Sequence, residues 1–307
     1  MSTGWVAAQV RSRSLASHCV GPAGAREVAS AGSLDGALAV LAASGYGERI
    51  HLGLNLAASE RALFATVLRN LRVLAGWCPP LGASRLHVLA GGFELANLSG
   101  ELARVEGRDA AEPYDLGSLA SVTRSNAVAG MGGLREALRR SPWGDPGSLD
   151  GGAMRIALQF AFVRRVVESV PEAAEWAESY AALVLARVVV AGVTLEPISA
   201  TAANVRAVLG PRVLAARSLS DLAGTLPSHL VPVLEGIAEP QDLWAGEARW
   251  WGRLWADAQD RVQRGGAGPA TVVAAVCAQV ADAWRLRAAL EIAARAGRGI
   301  EVLDAVA

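Results

Sequence analysis

The sequence predicts an all-α protein, and three observations lead to that fold class. Apolar residues recur at helical spacing through most of the 307 residues. Residues that start or stop helices flank these stretches: Ser33 precedes a run of leucines and alanines, and Gly45 follows it. No series of alternating strands occurs. Two stretches with strand-like composition, residues 86–92 and 187–192, keep an α/β fold open as the alternative.

The first third of the chain is expected to form a succession of amphipathic helices. Leucines and other apolar residues recur on one face of residues 57–75, and Gly76 with the prolines at 79–80 should end that helix. The pattern resumes after the prolines, so a further helix is expected. The predicted helices of this part span residues 33–45, 57–75 and 83–106.

The second half contains a candidate subdomain boundary, followed later by a proline-rich segment that differs from the long helices around it. Residues 139–152 hold the densest cluster of turn residues in the chain and mark a candidate subdomain boundary. Asp150 is a candidate N-cap for the helix that follows and that ends at Pro171. Repeated prolines in residues 199–240 favour several short helices over one long helix. Longer helices are predicted over residues 172–194, ending before Pro197, and over 270–296.

Composition excludes several classes of function. The formal net charge of +0 gives no electrostatic reason to expect a nucleic-acid partner or an anionic membrane surface. All 29 basic residues are arginine, so neither a P-loop lysine nor a Schiff-base lysine exists. The N-terminus lacks a signal-peptide core. The most apolar run, residues 180–195, is short and interrupted by Arg187, so no membrane span is expected. These features predict a cytoplasmic protein.

Residues in catalytic or metal-binding patterns are absent from the sequence. The three cysteines lie far apart, which favours buried thiols over a disulfide framework or a zinc site. The four histidines form no HExxH pair, and no GxSxG motif occurs. The glycine cluster at residues 130–138 lacks dinucleotide-fingerprint spacing and is expected to be a loop with a helix start. We therefore expect no catalytic, cofactor or metal site, and a protein that is not an enzyme.

Tryptophan is the unusual feature of the composition. Four of the nine tryptophans fall within residues 244–255. On a helix, Trp244, Trp251 and Trp255 share one side and Trp250 points elsewhere. Core packing is one interpretation. The other is a contact surface, because tryptophan is enriched at the energetic centres of interfaces.

Several short motifs recur in a definite order. Residues 5–17 begin with a tryptophan and continue as an arginine-bearing helix, and residues 284–297 repeat that pattern near the C-terminus. Between them lie a Tyr-Gly turn, an acidic-x-x-Asn-Leu helix segment and a DLGSL segment at residues 115–119. The residues concerned are Trp5, Arg11, Arg13, Tyr46, Gly47, Glu94, Asn97, Leu98, Trp284, Arg285 and Arg287.

This succession resembles the C-type subunit of the prokaryotic V/A-type rotary ATPases, the counterpart of the d-type subunit of the vacuolar ATPases. The resemblance implies one all-helical domain over residues 1–307, built as a funnel of three related units with pseudo-threefold arrangement. The approximate units are residues 1–82, 83–171 and 172–307. Helices starting near Trp5, Phe93 and either Tyr180 or Trp284 are expected to be equivalent.

The resemblance also implies a mechanical function. Such a subunit links the central-stalk shaft to the proteolipid rotor ring at the cytoplasmic face of the membrane and transmits torque in a proton- or sodium-translocating ATPase. It needs no cofactor and does no catalysis. A helical scaffold or adaptor unrelated to ATPases is the alternative, and an all-α enzyme with an unrecognised pocket is a third hypothesis.

The candidate partner-contact residues are the repeated arginines and one tryptophan. The two arginines of each pair lie about 200° apart on a helix and cannot share a face. We expect one of each pair to support neighbouring helices and the other to face the central opening or a partner surface. Ordinary solvated ion pairs are the competing interpretation. The candidates are Arg11, Arg13, Arg285, Arg287 and Trp250.

Overall fold

The regular secondary structure of the described residues is entirely helical: 73% of the protein is in helices, and no strand occurs among the described residues. The structure is a computed structural model that describes residues 3–122, 130–196, 198–300 and 303. The all-α class is therefore confirmed. The α-helices are α1 (Thr3–Ser17), α2 (Gly21–Ala29), α3 (Leu34–Ala42), α4 (Leu56–Trp77), α5 (Pro80–Val105), α6 (Gly130–Arg139), α7 (Gly151–Ser169), α8 (Ala174–Val190), α9 (Ala200–Leu209), α10 (Leu219–Thr225), α11 (Leu243–Arg264) and α12 (Pro269–Ala294).

Helix ends follow the residues that the sequence pattern marks. The side chains of Ser33 and Asp150 accept hydrogen bonds from the amides of Gly36 and Ala153, at 3.1 and 2.7 Å, and so cap α3 and α7. Each bond satisfies one of the amides that a helix start leaves without a partner. α4 ends at Trp77, and α5 begins at Pro80, where a proline costs no hydrogen bond.

Both strand-like stretches are helical, so the α/β alternative is wrong. Residues 86–92 lie inside α5, and Arg187 lies in the last turn of α8. Two of the four valines of α8, Val184 and Val188, are buried and the other two are partly buried, and this packing outweighs their intrinsic strand preference. Residues 199–240 do form short α- and 3₁₀-helices as predicted. Pro197, which was expected to follow α8, lies outside the described residues.

The expected helix starts are only partly correct. Trp5 lies in the first turn of α1, but Phe93, Tyr180 and Trp284 stand inside α5, α8 and α12. Each of these helices begins at or near a proline upstream of the aromatic residue. The proline sets the start because its ring fixes φ and lacks the N–H that a first turn leaves unpaired anyway.

The chain forms two compact units. Unit 1 comprises Met1–Leu86 and Ala248–Ala307, and unit 2 comprises His87–Glu247, with the boundaries falling inside α5 and α11. In unit 1, α12 packs against α1, α2, α3 and α4. Most of α12 is alanine and valine, and it is buried along most of its length. Short side chains allow several helices to approach one central helix closely.

Unit 2 is organised around α7, which packs against α8 and α9. A hydrophobic cluster joins α5, α6 and α7 through Leu102, Leu138, Trp143, Met154 and Leu158 among others. α8 also contacts α9 and α10. Within the described ranges, no helix is long and apolar enough to cross a membrane.

Candidate partner-contact site

Arg13 of α1 holds the C-terminal end of α11. Its guanidinium donates to the carbonyl oxygens of Val262, Gln263 and Gly265, at 3.2, 3.2 and 3.0 Å. Gln9, one turn earlier, donates to the Gly265 carbonyl at 2.9 Å. The last carbonyls of a helix have no partner within it, and that end of the helix dipole is negative. A cation with several donors is therefore well suited to this position, and Arg13 fixes α1 to α11.

Arg11 lies at the surface on another side of α1. Ser12 between the two arginines is buried and donates to the Ala8 carbonyl at 2.8 Å, which marks the inward face of the helix. Arg11 is exposed and makes no hydrogen bond or ion pair with any described residue. The two arginines of α1 thus differ: Arg13 contacts a neighbouring helix and Arg11 does not.

Arg285 of α12 is buried, with 2% of its surface exposed. Its guanidinium lies 4.9 Å from the centre of the Trp255 ring of α11, a cation–π contact between the two helices. Burial lowers the pKa of Arg285, and the nearby carboxylate of Asp282 opposes that shift. Arg285 therefore stabilises the contact between α11 and α12 instead of facing solvent.

Asp282, one turn before Arg285, forms a buried clasp on the start of α2. Its carboxylate accepts hydrogen bonds from the amides of Val20 and Gly21, both at 2.8 Å, and from the Tyr46 hydroxyl at 3.0 Å. Burial raises the pKa of Asp282, against the effect of these three donors and of Arg285. We call Asp282, Tyr46 and the two amides the α2 clasp.

The α2 clasp explains the Tyr-Gly turn of the sequence. Tyr46 is buried after α3, and burial beside Asp282 raises its pKa well above the usual value, so its hydroxyl stays protonated and can donate. A Cβ at Gly47 would overlap the carbonyl oxygen of Ala42, so the turn after α3 needs glycine there. The sequence pattern did not single out Asp282. The available signal was an acidic residue within the 272–283 stretch, where the only other polar side chain apart from the Cys277 thiol is that of Gln279.

Arg287 lies on the exposed side of α12 in a surface charge cluster. Its guanidinium is 3.2 Å from a carboxylate oxygen of Glu60 and 3.6 Å from one of Glu291. Arg295 lies 3.7 Å from the other oxygen of Glu291. Burial raises the pKa of Glu60, and Arg287 lowers it. Exposed pairs of this kind contribute about 0–1 kcal/mol each, so Arg287 remains accessible for other contacts.

The tryptophans of α11 divide between packing and surface. Trp251 stacks on Trp284 of α12, with ring centres 5.0 Å apart and planes 18° apart. Trp250 meets Trp251 edge-on at 4.6 Å and is half-buried. Trp244 is 54% exposed. Core packing therefore accounts for Trp251 and Trp255, and Trp250 lies at the edge of this aromatic cluster.

All five candidate residues belong to unit 1, on α1, α11 and α12. Arg285 is buried, whereas Arg11, Arg13 and Arg287 are exposed. Arg13 and Arg287 nevertheless contact neighbouring helices, α11 and α4 respectively, and Arg11 makes no hydrogen bond or ion pair with a described residue. Contact with a partner stays a prediction for the exposed residues.

A second polar network lies in unit 2, around two further motif residues. Glu94 of α5 is buried and accepts from the amides of Ser121 and Val122, each at 2.7 Å, from the Ser121 hydroxyl, and from the Trp143 indole at 2.8 Å. Asn97, one turn later, exchanges two hydrogen bonds with the backbone of Tyr114, at 2.9 and 2.7 Å. The acidic-x-x-Asn motif thus fixes the loop after α5.

The described residues contain no group of three or more His, Cys, Asp or Glu side chains that could hold a metal ion. Searches with the sequence find no matching protein-family model and no matching curated protein.

Proposed function

We propose that this chain is a non-catalytic central-stalk subunit of a V/A-type rotary ATPase, similar to the C-type subunit of the prokaryotic enzymes. The order of the short motifs along the chain carries the proposal. The aromatic-led arginine segment, the Tyr-Gly turn, the acidic-x-x-Asn-Leu segment and the C-terminal Arg-x-Arg segment follow one another as in that family.

The contacts of the motif residues support this proposal. Tyr46 belongs to the α2 clasp, Arg285 contacts Trp255 in the same unit, and Asn97 fixes a loop in unit 2. Tyr46 and Arg285 therefore have defined structural roles in the buried part of unit 1, and Asn97 has one at a loop of unit 2. A coupling subunit requires such stiffness, because a soft connection would absorb torque without passing it on.

The proposal includes the funnel architecture. Three related helical units, residues 1–82, 83–171 and 172–307, are arranged with pseudo-threefold symmetry in one domain. The test is to superpose the units: a rotation near one third of a turn should relate their helices. If no common rotation relates the three units, the funnel is refuted.

In this function the chain lies at the cytoplasmic face of the membrane, on the proteolipid ring, and receives the foot of the central shaft. It transmits torque between them and neither binds a cofactor nor turns over a substrate. Arg11 and Arg287 are the candidate contact residues because they are exposed and, unlike Arg13, do not cap a helix end. Trp250 is the candidate apolar contact at the edge of the aromatic cluster.

The experiment is affinity purification of the tagged chain from membranes of its source organism, followed by mass spectrometry. The shaft, rotor-ring and catalytic subunits of a rotary ATPase should co-purify. Charge reversal of Arg11 or Arg287 should reduce co-purification and coupled ion pumping while the chain keeps its helical circular dichroism spectrum.

Arg264 supplies the matched control, because it is also an exposed arginine of unit 1 and pairs with Asp260 at 2.8 Å on the same helix. Arg264→Glu should assemble like the parent. Purification without any ATPase subunit would refute the proposal. If Arg11→Glu and Arg287→Glu both assemble and pump normally, these arginines do not form the contact.

The alternative is a helical adaptor for another protein complex. Exposed apolar side chains in unit 1 favour it, among them Val10, Trp77 and Leu81, which are 65%, 56% and 53% exposed. Single exposed apolar residues are common on protein surfaces. The three side chains named here could nevertheless contact a protein partner of any kind, and such a contact does not require a rotary ATPase. Co-purification of a complex without rotary ATPase subunits would favour the adaptor.

A further inference from the structure

Unit 2 contains a cleft of about 370 Å³ between α7, α9 and the loop that follows α6. This volume lies in the range of small-ligand sites. Its apolar lining comes from Leu158 and Ala161 of α7. Trp143 of the loop and Arg164 and Arg165 of α7 supply the polar and aromatic lining.

Arg165 is the exceptional residue of this cleft. It is half-buried, and its guanidinium lies 5.1 Å from the centre of the Trp143 ring. No described residue accepts a hydrogen bond from it, and its Nη1 atom is fully buried. A guanidinium carries five N–H donors, and a buried donor without an acceptor costs free energy. Burial accordingly lowers the pKa of Arg165.

Glu94 cannot serve as the acceptor for Arg165. Glu94 contributes an attractive charge, but each of its carboxylate oxygens already accepts two hydrogen bonds from the Ser121, Val122 and Trp143 donors. Trp143 connects the two groups, since its indole N–H donates to Glu94 and its ring face meets Arg165. Arg165 is thereby positioned at the cleft lining; its Nη1 atom is buried close to Gly91 of α5, so the remaining donors of the guanidinium are the ones that can contact a ligand.

The two acidic residues that line the cleft are paired with other arginines. Asp145 accepts two hydrogen bonds from Arg135, at 2.7 and 3.0 Å, and Glu168 accepts one from Arg164 at 2.7 Å. Arg164 also donates to Asn204 of α9 at 3.1 Å. Both carboxylates of the lining thus have arginine partners, whereas Arg165 forms no ion pair with a described residue.

The first turn of α9 completes the polar wall. Ala200 and Thr201 line the cleft at the end of the helix where the dipole is positive. Together with Arg165, this geometry favours a negatively charged ligand.

We propose that this cleft binds a small anion with a carboxylate or phosphate group, and that Arg165 is its main charged contact. The planar guanidinium offers paired donors that match both groups. The observations that carry this site all lie within unit 2, and none depends on the proposed function of the chain.

The experiment is isothermal titration calorimetry of the full chain with two probes, inorganic phosphate and succinate, at low chloride. One probe or both should bind, and the comparison between them distinguishes a phosphate site from a carboxylate site. Arg165→Gln should weaken binding by about tenfold or more, because a charge-assisted contact is lost. Ala200→Trp changes no charge but places a bulky ring at the exposed first turn of α9, and it should weaken binding by obstruction.

Arg140→Gln is the matched control, since Arg140 is a 75% exposed arginine of unit 2 outside the cleft lining. It should bind the probes like the parent chain. Absence of binding of both probes to the parent would overturn the site. Undiminished binding in Arg165→Gln would overturn the assignment of Arg165, and undiminished binding in Ala200→Trp would overturn the location. If Arg165→Gln fails to fold, Ala200→Trp and Arg140→Gln still decide the location.

Discussion

Removal of the Asp282 carboxylate is expected to destabilise unit 1 strongly. Asp282 of α12 accepts hydrogen bonds from the amides of Val20 and Gly21, at 2.8 Å each, and from the Tyr46 hydroxyl at 3.0 Å. The carboxylate thus connects the C-terminal helix to the start of α2 and to the turn after α3. Asp282→Ala leaves all three donors without their acceptor.

The magnitude follows from these contacts. A buried donor left without an acceptor costs about 1–3 kcal/mol, so three donors set an upper range of about 3–9 kcal/mol. Two effects reduce this range. Removal of the carboxylate also removes the free-energy cost of burying a charged group, and water that enters the vacated space can accept hydrogen bonds from some of the three donors. We therefore expect Asp282→Ala to lower the free energy of unfolding by about 3–5 kcal/mol. Asp282→Asn keeps one acceptor oxygen and should cost about 2–3 kcal/mol.

Urea denaturation followed by far-UV circular dichroism measures this difference. Asp260→Ala is the control, since Asp260 makes only an exposed pair with Arg264 on the same helix, and it should cost at most about 0.5 kcal/mol. If Asp282→Ala and Asp260→Ala differ by less than about 1 kcal/mol, the clasp does not stabilise the fold and the reasoning is refuted.

The pH dependence of the same variants supplies a second test. Burial raises the pKa of Asp282 above its value in the unfolded chain, so the folded state binds the proton more tightly. The contribution of this group to stability is fully present below the unfolded pKa and declines as the pH rises through the folded pKa. The stability advantage of the parent over Asp282→Asn should therefore shrink with rising pH across that interval. A constant or growing advantage would contradict the shift.

Three further predictions concern other contacts. Arg13→Ala should lower the free energy of unfolding by about 1–2 kcal/mol, because the Val262 and Gln263 carbonyls lose their side-chain donor and the Gly265 carbonyl keeps only Gln9, whereas Arg11→Ala should stay within about 0.5 kcal/mol; equal urea curves would contradict the cap. Glu94→Gln should cost about 2–3 kcal/mol by the same measurement, and an unchanged midpoint would show that the loop after α5 does not depend on it. Burial raises the thiol pKa of Cys78 to about 11 and of Cys277 to about 12, so modification by a thiol reagent near pH 8 should be slow and should accelerate about tenfold per pH unit; rapid modification of the folded chain at neutral pH would contradict these values.

Local sequence determined the helices of this protein and many of their ends. Hydrophobic spacing predicted α3, α4, α5 and α12, and Ser33 and Asp150 cap the helices for which they were selected. These features are predictable because a helix is formed by contacts between residues three or four apart and is capped by neighbours in the chain. Residues 187–192 have strand-like composition, but the helix predicted over residues 172–194 from the surrounding pattern is found as α8, Ala174–Val190.

The motif residues were identified from the sequence, but the contacts that they make in the folded protein were not. The aromatic and arginine pattern marked Arg13 and Arg285 as candidates for contact with a partner. In the structure Arg13 of α1 binds the carbonyls at the end of α11, and Arg285 of α12 lies buried on the Trp255 ring of α11. Each contact thus joins two different helices. A helical pattern shows which side of a helix a residue occupies, and it does not show which neighbouring helix end lies opposite.

The α2 clasp and the Arg165 cleft were decided by tertiary structure alone. Asp282 meets the amide of Gly21 across 261 positions of sequence, and Trp143 meets Glu94 across 49. Both contacts depend on the packing of whole helices, which brings a carboxylate or a guanidinium into a site with little water. Sequence therefore determined where this chain is helical, while the folded arrangement determined which polar residues are buried, because burial depends on every helix that packs around them.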